Sequence, residues 1–342
     1  MPFPKIYISR PAVVLPDTAV DNQELLARVR ESFRGTPAEW APIQLAIRYA
    51  FDRCNSKMRY LEQSTAVSPG DFAARAAAAC LEQNGVAATD VDLLIYGAVA
   101  RDAFEPATAT EVAGRLGATP VRAFDVTCAC AGLIEAIHVV AGYFALHEDI
   151  DTALVCAGEI TRDRVTYDFQ TIQDVALDVA GLTLGNAAAA VLVTREMLST
   201  GGARVLAMQH KTLAEHYDLC RAPVDGHFVS RSNELFALGA HVPDEIRRLL
   251  SSVGWKADDV DHYVFHQPSE SMVEQVLNGI GARREAGIFT HSMFGNTAST
   301  SWALALDHRL KQGSVHSGDK MVIATAAAGF TIVGIAAVWE NN

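Results

Sequence analysis

One twelve-residue block occurs twice in this chain, and the two copies lie about half a chain length apart. Residues Gly85–Tyr96 (GVAATDVDLLIY) align with Gly254–Phe265 (GWKADDVDHYVF), an offset of 169 (254 minus 85) in a chain of 342 residues. Each copy follows a helical stretch, 71–83 or 244–253, and leads into an apolar strand. The sequence therefore predicts two similar α/β halves that pack about a pseudo-twofold axis and bring corresponding elements close together.

A cysteine lies at the predicted junction between a strand and a helix in the first half. The segment Asp125–Leu133 (DVTCACAGL) follows a short apolar strand, 121–124, and opens a run with apolar residues at helical spacing. A thiol there points at the positive end of a helix dipole, which favours the thiolate. A free cysteine is, however, more often a buried packing residue. The offset of 169 carries Cys130 onto Ser299, in a second glycine-rich turn that also precedes a helical run.

Composition narrows the class of protein. Half of the residues are apolar, and 28 basic against 40 acidic residues give a net charge of −12 without any basic cluster, so nucleic acid is not an expected partner. Six cysteines occur without a CxxC pair, which argues against a zinc site and against a disulfide framework. No metal and no cofactor are predicted.

Two segments bear on the location of the protein. Residues 1–6 lack the charged-then-apolar pattern of a secretion signal. Met321–Trp339 is apolar enough to be mistaken for a membrane span, but glycines and threonines interrupt it. We interpret it as two buried strands joined at Ala326–Gly329 and expect a cytoplasmic protein.

Three side chains suited to thioester chemistry fall at predicted strand ends or junctions. Cys130 opens a helix in the first half, His266 ends the repeated strand of the second half, and Asn296 lies in that half's junction turn. A cysteine can accept an acyl group while an imidazole and a carboxamide donate hydrogen bonds to an enolate or thioester oxygen. Singly, a histidine is usually structural and an asparagine in such a turn is usually a turn residue. The prediction depends on the combination.

These residues resemble the motifs of thiolase-superfamily condensing enzymes, in particular the β-ketoacyl-ACP synthase III type. Cys130 lies in an Asp-Val-x-x-Ala-Cys-x-Gly segment, His266 in His-Gln-Pro, and Asn296 in Phe-Gly-Asn-Thr. The resemblance implies a five-layered αβαβα thiolase fold, usually dimeric, with halves at 1–195 and 196–342. It also implies that Cys130 rather than Cys128 is the nucleophile, that the backbone N–H groups of Cys130 and Ala328 form the oxyanion hole, and that substrates arrive on coenzyme A or on an acyl carrier protein.

The chain departs from the smaller synthases in several places. A helical insertion at about 162–184 lies next to the expected acyl and pantetheine site. Trp40 is a candidate to stack on coenzyme A. The family's Gly-Asp-Gly-Ala-Gly-Ala pattern is replaced by Gly185–Ala190 (GNAAAA), and Ser269 replaces the asparagine of His-Gln-Ala-Asn.

Glu105 is the departure with the clearest chemical meaning. The family's housekeeping enzyme has an aromatic residue here that crosses the dimer interface into the partner's acyl pocket, whereas OleA-like enzymes, which join two fatty acyl thioesters head to head, have a glutamate. A malonyl thioester forms its carbanion by losing carbon dioxide, but an unactivated acyl thioester must lose an α-proton to a base. A carboxylate in an apolar tunnel suits that role. The alternative is that Glu105 faces solvent or pairs with Arg101.

The leading hypothesis is therefore a non-decarboxylative Claisen condensation of two acyl thioesters in fatty acyl or polyketide metabolism. Cys130 would carry the first acyl group, and Glu105 of a neighbouring subunit would deprotonate the second. Three alternatives stay open: decarboxylative condensation with a malonyl thioester, acyl transfer to an alcohol or amine, and a silent subunit of a heterodimer.

Overall fold

The computed structural model describes residues 4–341. Met1–Phe3, part of the segment without a secretion-signal pattern, and Asn342 lie outside the described residues. The helices are α1 (Asn22–Ser32), α2 (Pro37–Cys54), α3 (Pro69–Asn84), α4 (Thr108–Leu116), α5 (Gly132–Leu146), α6 (Ile172–Asp178), α7 (Ser232–Leu238), α8 (Val242–Ser252), α9 (Glu270–Ile280), α10 (His291–Phe294) and α11 (Ser301–Lys311). The strands are β1 (Tyr7–Ile8), β2 (Ala12–Val14), β3 (Ala19–Asp21), β4 (Met58–Tyr60), β5 (Leu93–Tyr96), β6 (Arg122–Asp125), β7 (Thr152–Glu159), β8 (Ala187–Thr194), β9 (Gly202–Thr212), β10 (Cys220–Arg221), β11 (Val229–Ser230), β12 (His262–Phe265), β13 (Lys320–Ala327) and β14 (Thr331–Glu340).

The predicted repeat is confirmed residue for residue. The strands β5 and β12 begin and end 169 positions apart, and so do the short 3₁₀ turns 88–90 and 257–259 that precede them. The turns 129–131 and 298–300 before α5 and α11 keep the same offset. Local packing rules that fold one copy therefore fold the other, and Cys130 and Ser299 occupy equivalent positions.

The sheet runs in the order β12-β13-β14-β9-β1-β8-β7-β5-β6, and β2 adds to β8. In the first half β6, β5 and β7 are parallel and β8 is antiparallel to β7. In the second half β12 and β13 are parallel and β14 is antiparallel to β13. The antiparallel pair β1–β9 connects the halves, so the hydrogen-bonded sheet continues across the pseudo-twofold relation.

Helices complete five layers around the two halves of this sheet. The helix α3 covers the outer face of β7 and β8, and α8 covers the outer face of β14. Between them, α5 contacts β5, β7 and β14, while α11 contacts β8, β12 and β13. The αβαβα thiolase fold is thus confirmed, and the largest buried apolar cluster runs through both halves. The boundary predicted at 195/196 lies in the connection between β8 and β9.

Two long apolar stretches lie inside this architecture. Met321–Trp339 forms most of β13 and β14, as predicted, but the turn joining them is 328–330 rather than Ala326–Gly329, because pairing extends to Ala327 and Thr331. Ala129–Leu146, which includes α5, is the one described helical stretch that is long and apolar enough to cross a membrane. Its inner face packs between the two halves as a core helix.

The insertion predicted at 162–184 is helical and packs against the N-terminal helices. It contains α6 and two 3₁₀ turns, 162–164 and 179–183. The N-terminus of α6 is capped by Thr171, whose hydroxyl accepts from the Asp174 N–H while the Asp174 carboxylate accepts from the Thr171 N–H. Side chains from α1, α2 and this insertion share a separate apolar cluster. The insertion therefore packs, together with α1 and α2, beside the central layers of the fold.

Candidate active site

A cavity of about 900 Å³ opens where the two halves meet. It receives Cys130 from the first half and His266 and Asn296 from the second. Ala326 and Ala327 at the end of β13 and Ala328 in the following turn close one side. The structure thus brings the three predicted reacting side chains to one space, together with Ala328.

The backbone around Cys130 is strained in a way that presents its thiol to the cavity. Ala129 has φ of 45°, a left-handed conformation that costs energy for a residue with a Cβ, and its repeat mate Ala298 has φ of 47°. Cys130 then lies in the 3₁₀ turn directly before α5, where N–H groups lack intrahelical acceptors. Cys130 lines the cavity and Cys128 does not. The N–H of Cys130 is accordingly placed for the predicted oxyanion hole.

Burial works against the thiolate that the helix position favours. Desolvation raises the pKa of the Cys130 thiol well above its ordinary value, and the neighbouring Cys220 and Glu159 act in the same direction. The resting group is therefore the thiol at neutral pH, contrary to the prediction from the helix dipole alone. The positive end of α5 offsets only part of the cost of burying the charge.

His266 is held as a neutral imidazole with a defined tautomer. Burial lowers its pKa to about 3, with a smaller contribution from His291. The Ser301 hydroxyl lies 2.5 Å from His266 Nδ1 and also accepts the Gln267 N–H. Because the hydroxyl has one proton and no other acceptor among the described residues, it donates to Nδ1. His266 Nε2 then carries a proton and can donate to an oxygen in the cavity.

Two backbone hydrogen bonds fix Asn296 to the end of the insertion and to the residue that follows it. Its N–H donates to the Thr183 carbonyl at 2.8 Å, and its carbonyl accepts from the Gly185 N–H at 2.9 Å. Its side-chain Oδ1 accepts from the Ala298 N–H at 3.0 Å. The Nδ2 group has no acceptor among the described residues and is free to donate. A Cβ on Gly185 would lie 2.1 Å from the Phe294 carbonyl oxygen, so this close approach requires glycine.

Glu159 is a functional residue that the sequence did not reveal. It ends β7, is 1% exposed and lines the cavity. Its carboxylate accepts from the N–H groups of Val99 and Ala100 at 3.0 and 3.1 Å and from the Ser299 hydroxyl. Burial raises its pKa. Because its oxygens are engaged, Glu159 serves to hold the cavity wall rather than to take a substrate proton.

Glu105 lies outside the cavity of its own chain, on the exposed segment 97–107. Glu159 anchors the start of this segment, and the Asp125 carboxylate anchors its end by accepting the Thr108 and Ala109 N–H groups at 3.0 and 2.8 Å. Phe104 beside it is 83% exposed. Arg101 donates to the Thr127 hydroxyl at 2.8 Å and forms no ion pair with Glu105. The segment is thus fixed at both ends; Phe104 still lines the cavity, whereas Glu105 is exposed and does not line it.

Trp40, the candidate for stacking on coenzyme A, is not brought to the cavity. It is 8% exposed and packs against Phe33, with ring centroids 5.5 Å apart, in the apolar cluster of the N-terminal helices. Later residues of the same helix, α2, reach the cavity instead, among them Tyr49 and Arg53.

Arginines gather at this cavity although the whole chain is acidic. Five of them line it, against three carboxylates, Asp102, Glu159 and Asp163. Three of the five donate to backbone carbonyls: Arg101 to the Ala98 oxygen, Arg162 to the Ser64 and Val67 oxygens, and Arg164 to three oxygens of the loop 223–226. The five are Arg53, Arg101, Arg162, Arg164 and Arg221.

The fold and this site together are those of condensing enzymes that work through a cysteine thioester. Residues 56–234 match the family model described as "Thiolase, N-terminal domain", and residues 250–339 match "3-Oxoacyl-[acyl-carrier-protein (ACP)] synthase III C terminal". A β-ketoacyl-[acyl-carrier-protein] synthase III of Rhizobium meliloti is 30% identical over 95% of this chain and 96% of its own. The chain belongs to the thiolase superfamily, to its β-ketoacyl-ACP synthase III-like condensing enzymes, and is an acyltransferase.

Solved structures agree with this assignment of the fold. Synthase III of Pseudomonas aeruginosa superposes with a TM-score of 0.83 at 25% identity, covering 98% of this chain and 99% of its own. A cysteine-to-serine variant of Xanthomonas campestris OleA with bound lauric acid and lauroyl-CoA gives a TM-score of 0.89 at 23% identity, covering 98% and 100%.

Proposed function

We propose that this enzyme joins two acyl thioesters by a non-decarboxylative Claisen condensation. The thiol of Cys130 attacks the first thioester, expels its carrier thiol and becomes acylated. A base removes the α-proton of the second thioester, and the resulting carbanion attacks the acyl-Cys130 carbonyl. The C–C bond forms, the C–S bond to Cys130 breaks, and the β-keto thioester leaves with the thiol restored.

The residues around the cavity support a division of labour in this sequence. His266 Nε2–H and Asn296 Nδ2 donate to the enolate oxygen of the second thioester, and the N–H groups of Cys130 and Ala328 donate to the oxyanion at the acylated thiol. His266, neutral with a protonated Nε2, is assigned as a donor, and Glu159 is assigned to hold the segment that begins at Val99, so neither is proposed as the base.

The observation that carries the proposal is the exposure of Glu105, outside the cavity of its own chain, on a segment anchored at both ends. In a homodimer built on this surface, the exposed Phe104 would be buried by the partner and Glu105 would enter the partner's cavity as the base. A variant of OleA has been solved with lauroyl-CoA, which supports fatty acyl-CoA as the substrate class here. The five arginines at the cavity suit the phosphates of coenzyme A or of a carrier-protein phosphopantetheine. No cofactor beyond these carriers takes part, and the cytoplasm, where they occur, is the proposed location.

A second candidate is decarboxylative condensation with a malonyl thioester. The two hydrogen-bond donors, His266 and Asn296, would serve the enolate formed by loss of carbon dioxide equally well, and curated relatives named β-ketoacyl-ACP synthase III match nearly the whole chain. In that case Glu105 has no proton to remove.

One incubation separates the two. The purified protein is mixed with a single saturated medium- or long-chain acyl-CoA and no malonyl donor, and intact protein mass and products are followed together. An adduct on Cys130 accompanied by a β-keto acyl-CoA, or by the β-keto acid and ketone that its hydrolysis and decarboxylation give, supports head-to-head condensation. An adduct without product that yields a β-keto thioester only after malonyl-CoA is added contradicts it and supports the second candidate. Cys130→Ala, which cannot be acylated, is the control.

A further inference from the structure

A second cluster of chemically capable side chains lies on the other side of α5, away from the acyl cavity. Glu135 and His138 lie three residues apart on α5, and His210 reaches them from β9. Glu135 Oε2 is 2.9 Å from Nδ1 of both histidines, and the three potential ligand atoms all lie within 4.8 Å of one another. None of these residues lines the acyl cavity.

The chemistry of this set fits a divalent transition metal. Two imidazole nitrogens and one carboxylate oxygen form a recurrent ligand set for Zn²⁺ and related ions, and Glu-x-x-His on one helix places two such ligands on the same face. Metal bonds of about 2.0–2.1 Å require ligand atoms roughly 3.3 Å apart, so the two 2.9 Å contacts need to open only slightly to admit an ion.

The charge of Glu135 and the orientation of the His210 ring also favour a bound metal ion. Among the described residues no lysine or arginine pairs with Glu135, which leaves its partly buried charge to the histidines or to a bound cation. The other ring nitrogen of His210, Nε2, lies 3.2 Å from the Thr212 hydroxyl, and this contact orients the ring. The Thr212 hydroxyl is in turn hydrogen-bonded to the Thr331 hydroxyl at 2.8 Å. Such partners behind a histidine ligand are typical of metal sites.

We propose that Glu135, His138 and His210 bind one divalent transition-metal ion, for which Zn²⁺ is the probe. The ion ties α5, which begins at the nucleophile turn, to β9 of the second half. The cysteine spacing excluded a thiolate zinc site, and this one was invisible in the sequence because His210 lies 75 residues from Glu135. With a side-chain exposure of 41%, His210 is the ligand through which ions from solvent reach the cluster, whereas His138 and Glu135 are 13% and 23% exposed.

Equilibrium dialysis of the tag-free chain against micromolar Zn²⁺, followed by metal analysis, tests the proposal. We expect one ion per chain and a higher unfolding temperature with zinc. His210→Ala and Glu135→Gln should each raise the Kd at least about tenfold. His147→Ala is the matched control, because His147 directly follows α5 and lies 4.0 Å from Asp149, and among the described residues no third ligand completes this pair. It should bind zinc like the wild type.

Thiols are the competing zinc ligands, so the titration is repeated with Cys130→Ala and with Co²⁺, whose spectrum distinguishes sulfur from nitrogen ligands. Retention of the ion by Cys130→Ala, with a spectrum free of sulfur ligation, supports the site. The proposal is overturned if the wild type binds no zinc, or if binding is lost in Cys130→Ala and kept in His210→Ala. Because His210 is exposed, its variant should fold normally, which thermal unfolding without metal verifies.

Discussion

The Cα atoms of Gly97 and Gly132 face each other where the nucleophile helix meets the end of β5. A Cβ on Gly132 would lie 2.7 Å from the Gly97 carbonyl oxygen, and a Cβ on Gly97 would lie 2.4 Å from that of Gly132. Both atoms that would be hit belong to the backbone and cannot rotate away. The position of Cys130, two residues before Gly132, therefore depends on two hydrogen atoms in place of side chains.

Gly132→Ala should accordingly displace the start of α5 and both destabilise the protein and slow acylation. Inserting a methyl group into a packed contact costs about 1–3 kcal/mol. The matched control is Gly142→Ala on the same helix, where a Cβ meets nothing within 4 Å. It should stabilise by about 0.5–1 kcal/mol, because alanine favours helix. Urea unfolding and acyl loading are measured together, and equal effects of the two changes would contradict the steric account.

The two neighbouring cysteines should behave differently towards an acyl-CoA. Cys130→Ala is expected to abolish the covalent adduct, while Cys128→Ala should retain it, because only Cys130 lines the cavity. Intact mass spectrometry reads both variants directly. Loading that survives in Cys130→Ala and disappears in Cys128→Ala would show that the nucleophile has been misassigned.

The reactivity of Cys130 should keep rising into the alkaline range. Since burial raises its pKa well above the ordinary value, the thiolate fraction at pH 7 is small and grows about tenfold per pH unit. The rate of iodoacetamide labelling at Cys130, measured by peptide mapping from pH 6 to pH 10, should therefore show no plateau within this range. A plateau below pH 8 would mean that the helix dipole outweighs burial.

Glu105 should matter for condensation and not for loading. Glu105→Ala is expected to acylate Cys130 at the wild-type rate, but to lose about 10²–10⁴-fold in product formation from two saturated acyl-CoA molecules, the usual effect of removing a general base. Single-turnover acylation and product chromatography separate the steps. Glu148→Ala, which removes an exposed carboxylate that does not line the cavity, is the control, and condensation at the normal rate by Glu105→Ala would exclude the base role.

Glu135 should contribute stability that is lost in acid. Its folded pKa of about 2 is below the ordinary value near 4.5, so the contribution is complete above about pH 4.5 and disappears as the pH falls towards 2. Its size is on the order of 2 kcal/mol after allowance for partial exposure. In metal-free buffer Glu135→Gln should unfold less steeply with acid than the wild type, as monitored by urea midpoints between pH 2 and pH 6. If the urea midpoints of Glu135→Gln and of the wild type fell equally steeply with decreasing pH, the predicted contribution of Glu135 would be contradicted.

The fold and the meeting of Cys130, His266 and Asn296 in one cavity were predictable because each left a local signal. The repeated block fixed the order of elements in both halves, and the motifs around Cys130, His266 and Asn296 lie at strand ends that the fold brings together. Glu159 and Ser301 left no such signal. Their partners are distant in sequence, with 140 residues between Glu159 and Ser299 and 35 between His266 and Ser301, and only the packing of the halves defines the pairs.

The protonation states of the groups in the cavity likewise could not be predicted from the sequence. A cysteine at a helix start favours a thiolate only while its charge is hydrated, and the depth of burial of Cys130 is a property of the complete cavity. The same holds for Trp40. From the sequence, a tryptophan near the N-terminus can face either a ligand or the core, and in the structure Trp40 packs against Phe33 in the core.

The two backbone hydrogen bonds that join Asn296 to Thr183 and Gly185 also couple the size of the bound acyl group to the rate of turnover. The insertion that ends at Thr183 supplies apolar walls to the cavity through Ile172, Val175 and Val179, so an acyl chain that overfills this side presses on the segment that aims the carboxamide. A poorly fitting chain would then still be captured, but it would react with a misaligned hydrogen-bond donor. Discrimination between chain lengths should appear mainly in kcat, with the affinity for the acyl group little changed.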